Sequence, residues 1–251
     1  MKEKQKGFLI LLILVLALIA LNYPIINSLL EKSLDEKETG LVERIVDGDT
    51  LVVNGEKVRM LGINTPEKGE YLSDKAQEFL ETTILNETVE LEFGKDIYDL
   101  YGRKLAYVIY KKRNINQESV EQGFSNFYFP SGKDKYYENF VNSWEKCLSN
   151  EINLCEPSQD VCKTCISVEE WNIENQLLIL KNLCDFSCDL TSWTIKDEGR
   201  KKFTFDKTFL GSGEEYILTP KDFNKDYIWT KSGDSIFIRD DKNKLVYWES
   251  Y

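Results

Sequence analysis

The strongest constraint on the fold is a strand-turn pattern between Leu41 and Ile63. Short apolar runs in this segment are separated by Asp47-Gly48 and by Asn54-Gly55. Asn-Gly between two apolar runs is a strong signal for a two-residue hairpin, because both turn residues must adopt a positive φ. The segment is therefore predicted to be a three-stranded antiparallel meander.

The next hundred residues add helices and two further strands. Ser73 is expected to cap the first helix. Apolar residues at helical or alternating spacing predict this helix and the elements after it. They are 73–84 (helix), 89–93 and 105–110 (strands), 116–123 (a short helix ending at a glycine) and 137–148 (helix). This order of elements is the plan of a small closed barrel with helices on one side.

Beyond Cys165 the sequence pattern changes from mixed helices and strands to short strands alone. Short apolar runs with turn residues between them lie at 166–168, 177–180, 193–195, 202–205, 215–218, 236–238 and 245–247. Many short strands with turn chemistry between them are typical of a β-sandwich. The second half of the chain is therefore predicted to be all-β and separate from the barrel.

The chain starts with a basic flank and an apolar segment. Lys2, Lys4 and Lys6 precede an unbroken apolar run from Phe8 to Leu21. This pattern predicts an uncleaved membrane anchor, with a removed signal peptide as the alternative. The lysines favour the cytoplasmic side, so that everything after residue 27 is expected outside the cytoplasm.

Five segments follow from these patterns. They are a signal anchor (1–27), a polar linker (28–40), the barrel domain (41–148), a cysteine-containing junction (149–165) and the β-sandwich (166–251).

The charge and the missing histidine narrow the chemistry. The formal net charge is −11, and the chain contains no histidine. Nonspecific affinity for phosphates comes chiefly from Lys and Arg, so an acidic chain is expected to contact nucleic acid only locally. Ser-His and Cys-His nucleophile pairs and His-ligated zinc are excluded. Catalysis has to use carboxylates, Arg, Lys, Tyr or a metal ion.

Four short runs in the barrel segment carry suitable groups. They are Asp47-Gly48-Asp49-Thr50, Arg59, Asn64-Thr65-Pro66-Glu67 and Tyr101-Gly102-Arg103. Together they supply oxygen ligands for a hard cation, a general base and two guanidinium groups. This is the chemical inventory for cutting a phosphodiester bond.

The same runs, in this order, resemble the staphylococcal nuclease (thermonuclease) family over about residues 41–148. Matching stretches are Asp47 to Thr50, Arg59 to Glu67, and Asp99 to Tyr107. The resemblance implies a five-stranded OB-fold barrel with three helices. It also implies Ca²⁺-dependent hydrolysis of DNA and RNA at the 5′ oxygen, leaving 3′-phosphate ends.

The resemblance assigns a role to each matching residue. Asp49, Thr65 through its carbonyl, and position 64 match the calcium ligands, where Asn64 replaces the family's carboxylate. An amide oxygen still coordinates a hard cation, but the lost negative charge is expected to weaken binding. Glu67 matches the general base. Arg59 and Arg103 match the guanidinium groups that bind phosphate oxygens in the transition state, and Tyr107 and Tyr128 are candidates for base stacking or for core packing.

Residues of about 166–251 resemble the lamin-tail family of immunoglobulin-like sandwiches. The resemblance is carried by Asp189 to Asp197 and by Gly233 to Asp240. It implies no particular ligand for this segment.

The six cysteines lie at 147, 155, 162, 165, 184 and 188. Disulfides are the expected use outside the cytoplasm. The spacing of Cys162 and Cys165 with Cys184 and Cys188 also suits a four-thiolate zinc site, which is the alternative.

The sequence thus predicts a membrane-anchored extracellular Ca²⁺-dependent nuclease acting on DNA and RNA, or a secreted one if the first segment is cleaved. One alternative is a catalytically weak or inactive nuclease-like module that binds nucleic acid or protein at the cell surface. Another makes the C-terminal sandwich the main binding unit, with the barrel as scaffold.

Overall fold

The computed structural model describes residues 2–34 and 37–251. The chain divides into units over 1–38 and 39–251. Helix α1 (Lys2–Leu34) makes up most of the first unit. Its part from Gln5 to Tyr23 is long and apolar enough to cross a membrane, as a signal sequence near an N-terminus also is.

The segment 28–40, predicted as a linker, is mostly regular in the structure. Helix α1 continues to Leu34, and β1 already begins at Lys37. Both elements therefore extend beyond the apolar residues that predicted them, because a helix or strand continues through polar residues when nothing in the sequence stops it.

The elements that follow α1 are β1 (Lys37–Ile45), β2 (Thr50–Val53), β3 (Glu56–Met60), β4 (Ile63–Asn64), α2 (Ser73–Ile84), β5 (Thr88–Tyr98), β6 (Lys104–Tyr110), β7 (Arg113–Asn114), α3 (Ile115–Glu121), β8 (Asn126–Phe127) and α4 (Tyr137–Asn150). The sheet order is β3-β2-β1-β5-β6-β7, and β3 also pairs with β6. This last pairing is parallel, with Arg59 opposite Leu105. It closes the five-stranded barrel, which confirms the predicted OB-type fold.

One of the local predictions in the barrel segment is confirmed and another is wrong. Asn54 and Gly55 have φ values of 49° and 80° and join β2 to β3 as the predicted two-residue hairpin. The predicted cap of α2 is wrong. Leu72, with a φ of 68°, is the residue before the helix, and Ser73 lies in the first turn. Burial of Leu72 in the barrel core outweighs the usual preference for a polar cap.

The C-terminal part consists of β9 (Ile166–Asn172), β10 (Leu177–Asn182), β11 (Cys188–Asp189), β12 (Thr194–Lys196), β13 (Lys202–Thr204), β14 (Phe209–Leu210), β15 (Glu215–Leu218), β16 (Ser235–Arg239) and β17 (Leu245–Ser250). Their sheets have the orders β13-β12-β16-β17, β15-β10-β9 and β11-β14. Every predicted run overlaps a strand, so the all-β prediction is confirmed. The lamin-tail resemblance stays a prediction.

All six cysteines form disulfides, which pair 147 with 155, 162 with 188, and 165 with 184. This confirms disulfides over the zinc alternative. The last two bridges tie the residues just before β9 to Cys184 and to Cys188, the first residue of β11.

Strand β16 joins the two halves of the second unit. Ile236 and Ile238 pack in the C-terminal core, whereas Phe237 between them packs in the barrel core. Successive strand residues face opposite sides, so both faces of β16 are buried. Phe237 lies 5.5 Å from Trp144 of α4, and Trp248 lies 6.0 Å from the same ring.

We call Phe127, Trp144, Phe237 and Trp248 the shared aromatic cluster. Phe127, Trp144 and Phe237 are buried and Trp248 is partly buried, and each buried aromatic contributes roughly 1.5–3 kcal/mol through the area removed from water. The cluster fixes the C-terminal sheets against the barrel, and with them the loop between β12 and β13.

Candidate active site

The loop between β1 and β2 brings a carboxylate into the barrel wall. The backbone N–H of Asp49 donates to Asp47 Oδ1 over 3.0 Å, which shapes the turn. A Cβ atom at Gly48 would lie 2.7 Å from the Cβ of Ala76 on α2 and 3.0 Å from the Cβ of Thr65. Glycine is therefore required at this position for the loop to approach α2 and Thr65 closely.

Asp49 is buried and is the centre of a hydrogen-bond network. Its Oδ2 accepts the backbone N–H of Thr65 at 3.2 Å and the Thr65 hydroxyl at 3.0 Å. Arg59 Nη2 lies 3.0 Å from the same oxygen. The other oxygen, Oδ1, accepts the Thr50 hydroxyl at 3.1 Å. Three of the residues predicted for the site, Asp49, Arg59 and Thr65, are thus in direct contact.

Arg59 lies on β3 and is held rigidly. Its Nη1 donates to Met60 O at 2.6 Å and its Nη2 to Ile63 O at 2.9 Å. Burial lowers the pKa of Arg59, and the nearby charges of Arg103 and Arg200 act in the same direction, while Asp49 opposes them. Added negative charge, such as a phosphate, would stabilise this guanidinium.

Asn64 is on β4, next to Thr65, and is 1% exposed. Its Nδ2 donates to Gly199 O at 2.6 Å and to Glu198 O at 3.3 Å. Its Oδ1 is buried and has no hydrogen-bond partner among the described residues. A buried oxygen without a donor is costly, so this atom has unused capacity to bind a cation.

Arg103 is held in the loop between β5 and β6. Its Nε and Nη2 atoms both lie 2.7 Å from Asp99 Oδ2. Burial acts to raise the pKa of Asp99, but hydrogen bonds from Arg103 and Tyr101 outweigh it and lower the pKa. The guanidinium carbon also lies 5.5 Å from the centre of the Tyr101 ring. Arg103 is consequently preorganised although it is partly exposed.

Arg59 and Arg103 line the same cleft, which has a volume of about 640 Å³. Tyr107 and Tyr128 line it as well. Tyr107 is 2% exposed, and its hydroxyl donates to Asp134 Oδ2 at 2.5 Å. Burial and this hydrogen bond raise the pKa of Tyr107. Tyr107 is therefore mainly a core residue, whereas the half-buried Tyr128 presents a surface to the cleft.

Glu67 has a different environment from the two arginines. It is exposed and is not among the residues that line the cleft. Its Oε1 lies 2.7 Å from Arg200 Nε, and the neighbouring Glu70 Oε1 lies 3.0 Å from Lys202 Nζ. Arg200 lies in the loop between β12 and β13, and Lys202 is the first residue of β13, so the C-terminal half contacts this edge of the site without burying it.

The candidate cation ligands include only one carboxylate that the sequence predicted as a ligand, Asp49, together with the oxygens of Asn64 and Thr65. Among the described residues, no group of three or more His, Cys, Asp or Glu is arranged to hold a metal. Asp49 and Asp47 do lie close together. Burial raises the pKa of Asp47, and the negative charge of Asp49 raises it further. Positive charge at this loop would relieve that repulsion.

The sequence did not indicate the contribution of Glu198, Gly199 and Arg200. These residues are more than 130 positions from Asn64 and Glu67 in the chain, and no spacing rule connects residues so far apart. A charged turn between two short strands is most often solvated surface. Only the packing of the two halves reveals this contact.

The two arginines on one cleft can bind a phosphate and offset its charge. The buried carboxylate of Asp49 and the unpaired amide oxygen of Asn64 are oxygen ligands for a cation. The comparisons with known proteins agree with this chemistry. The family model described as "Staphylococcal nuclease homologue" matches residues 57–155. That range contains Arg59, the Asn64–Glu67 run and Arg103, and it ends before the C-terminal sheets.

Similar proteins include the thermonuclease of Staphylococcus intermedius, which is 29% identical over 170 residues that cover 62% of this chain and 99% of that protein. The thermonuclease of Staphylococcus hyicus is 30% identical over 128 residues, covering 47% and 76%. An uncharacterized endonuclease of Haemophilus influenzae is 37% identical over 136 residues, covering 49% and 73%. With the closed barrel and the arginine-lined cleft, these matches show that the chain belongs to the staphylococcal nuclease family and is a nuclease, a hydrolase whose substrate is nucleic acid.

Proposed function

We propose that the protein is a membrane-anchored extracellular nuclease that uses Ca²⁺ to hydrolyse the phosphodiester bonds of DNA and RNA. The observation that carries this proposal is the position of Arg59. Its guanidinium contacts the buried Asp49 and also lines the cleft with Arg103. One residue therefore connects the candidate cation ligands to the phosphate-binding surface.

In this proposal Arg59 and Arg103 bind two oxygens of the scissile phosphate. Both are held by acceptors on the protein, Met60 O and Ile63 O for Arg59 and Asp99 for Arg103. Preorganised donors stabilise the charge that develops in the transition state without a cost of reorganisation. A lysine cannot reproduce this planar, two-point contact.

Glu67 is the proposed general base, which takes the proton from the attacking water. A carboxylate in this role has to approach the water within hydrogen-bond distance. Glu67 is two residues from Thr65 along a segment that Pro66 stiffens. Its exposure leaves the carboxylate accessible to solvent water.

The residues fit a hard cation. Asp49 supplies a buried carboxylate, Asn64 supplies a buried oxygen that lacks a donor, and Thr65 supplies a backbone carbonyl. All are oxygen ligands of the kind that Ca²⁺ prefers. When bound, the ion would orient the phosphate and offset its charge.

The proposed location rests on two features. The apolar part of α1 is long enough to span a membrane. All six cysteines form disulfides, which persist in oxidising surroundings. Carbonate washing of membranes from expressing cells should leave the full chain in the pellet, and external protease should degrade its C-terminal part in intact cells. Recovery of the protein from the medium without residues 1–27 would contradict anchoring.

The activity is tested with the full chain in detergent on single-stranded and double-stranded DNA and RNA, with Ca²⁺, Mg²⁺ or a chelator. We expect cleavage with Ca²⁺ and none with the chelator. Glu67→Gln should lower the rate about 10²–10⁴-fold, and Arg59→Lys and Arg103→Lys about 10²–10³-fold each. The matched controls Glu78→Gln and Arg44→Lys change exposed residues and should cleave like the wild type. Equal cleavage by Glu67→Gln and Glu78→Gln would reject the proposed base, and cleavage in chelator would reject the cation.

A further inference from the structure

The loop between β12 and β13 is a rigid part of the C-terminal domain. Asp197 Oδ1 accepts the backbone N–H of Lys201 at 2.9 Å, and Asp197 N donates to Lys201 O at 3.0 Å. The Lys201 ammonium lies 3.2 Å from Asp197 Oδ2 and donates to Ile228 O at 2.6 Å. The residues between these anchors, Glu198 to Arg200, are therefore held in one conformation.

The barrel binds this loop at several points near the candidate site. Glu198 O accepts Asn126 Nδ2 at 2.8 Å as well as Asn64 Nδ2, and the backbone N–H of Phe129 donates to Glu198 Oε1 at 3.3 Å. These contacts come from β4, from β8 and from the residue two positions after β8. The loop thus meets the barrel where Asn64 precedes Thr65.

We propose that Glu198 to Arg200 form a positioning segment for the nuclease site. The carbonyls of Glu198 and Gly199 hold the amide nitrogen of Asn64, so that its oxygen is directed away from the loop as a ligand. Arg200 holds the carboxylate of Glu67. This inference rests on the proposed function, in which Asn64 and Glu67 are a cation ligand and the general base.

The carbonyl pair also accounts for the amide at position 64, where the family pattern has a carboxylate. An amide nitrogen donates to both carbonyl oxygens, whereas a carboxylate would place an acceptor 2.6 Å from Gly199 O. Two acceptors at that distance repel, and a buried charge without a donor is strongly unfavourable. The packing of the C-terminal domain therefore requires Asn64, even though an aspartate would add charge to a cation site.

The second contact acts on Glu67. Its side chain is exposed, and an exposed ion pair contributes little to stability. Without Arg200 the carboxylate would sample several rotamers, and only some of them would place it for proton transfer. A loss of orientation lowers the rate of the chemical step while substrate binding stays intact.

The first test measures thermal unfolding of the full chain in chelator. Asn64→Asp should lower the midpoint by about 5–10 °C, because the new carboxylate faces two carbonyls. The matched control Asn139→Asp, at an exposed position of α4, should stay within about 2 °C of the wild type. If Asn64→Asp unfolds like the control and binds Ca²⁺ more tightly than the wild type, the positioning of Asn64 is overturned.

The second test measures cleavage kinetics with Ca²⁺. Arg200→Ala should lower kcat about two- to fivefold, the range set by an exposed ion pair of up to about 1 kcal/mol, with KM and the unfolding midpoint little changed, and Arg200→Lys should recover part of the loss. Lys202→Ala is the matched control, since it removes a basic partner of Glu70 from the same hairpin. Equal kcat for Arg200→Ala and Lys202→Ala would overturn the role of Arg200.

Failure of the proposed function would give a different experimental result from failure of the positioning proposal. If Glu67→Gln cleaves as fast as the wild type, Glu67 is not the base. The unfolding comparison of Asn64→Asp needs no turnover, so it still decides whether the C-terminal loop fixes the amide.

Discussion

Glu198 offers a quantitative test of the contact between the barrel and the C-terminal sheets. Its side chain is 7% exposed and lies beside Asp234 and Asp197. Burial raises the pKa of Glu198 to about 8, and the negative charges of Asp234 and Asp197 contribute. Burial and Asp197 likewise raise the pKa of Asp234 to about 6. We consider the substitution Glu198→Gln, which keeps the shape and removes the charge.

The direction of the pH effect follows from the two states of the chain. The folded state holds the Glu198 proton up to about pH 8, whereas the unfolded chain releases it near 4.5. The stability that this group contributes is therefore fully present below pH 4.5 and is lost as the pH rises to about 8. At about 1.4 kcal/mol per pH unit, the interval corresponds to a loss of about 5 kcal/mol at most.

Glutamine resembles the protonated acid at every pH. Glu198→Gln should match the wild type within about 1 kcal/mol at pH 4.5 and exceed it by up to about 5 kcal/mol at pH 9. The assay is urea unfolding of the full chain in chelator, followed by tryptophan fluorescence, at pH 4.5, 7 and 9. Glu174→Gln is the matched control, since Glu174 is an exposed residue paired with Lys231. A difference between Glu198→Gln and the wild type that does not grow with pH would refute the reasoning.

Further substitutions test the loop, the disulfides and the shared core. Gly48→Ala should lower the free energy of unfolding by about 1–3 kcal/mol and reduce cleavage, because the added methyl group would lie 2.7 Å from Ala76 Cβ; unchanged thermal unfolding would contradict this. Replacing Cys162 and Cys188 together by alanine opens a bridge between residues 26 positions apart and should cost about 3–4 kcal/mol in urea unfolding, whereas an equal midpoint would argue against that bridge. Phe237→Ala should cost about 3–5 kcal/mol and lower the stability of both halves in one transition; two separate transitions would show that the halves are independent.

Local signals in the sequence predicted local structure well. Asn54 and Gly55 specify their hairpin because the positive φ values depend only on those two residues. The seven apolar runs of the C-terminal half were visible for the same reason, since burial of alternate residues leaves a mark within each strand. The fold class could therefore be predicted without knowledge of distant contacts.

Features that depend on contacts between distant segments were not predictable. Strands β4 and β8 have two residues each, which is too short for a periodic pattern. The left-handed conformation of Leu72 results from tertiary packing, against its own preference. The sequence predicted Asp49, Arg59 and Arg103 as site candidates, but nothing in it indicated that Arg200 approaches Glu67.

The shared aromatic cluster limits how this enzyme can be studied in fragments. Phe237 and Trp248 complete the packing around Trp144. Truncating the chain after residue 165 would therefore expose a hydrophobic surface on the barrel, and such a fragment should aggregate before its activity could be measured. The C-terminal half is thus part of the same folded unit as the barrel, and its function is best tested by single substitutions in the intact chain.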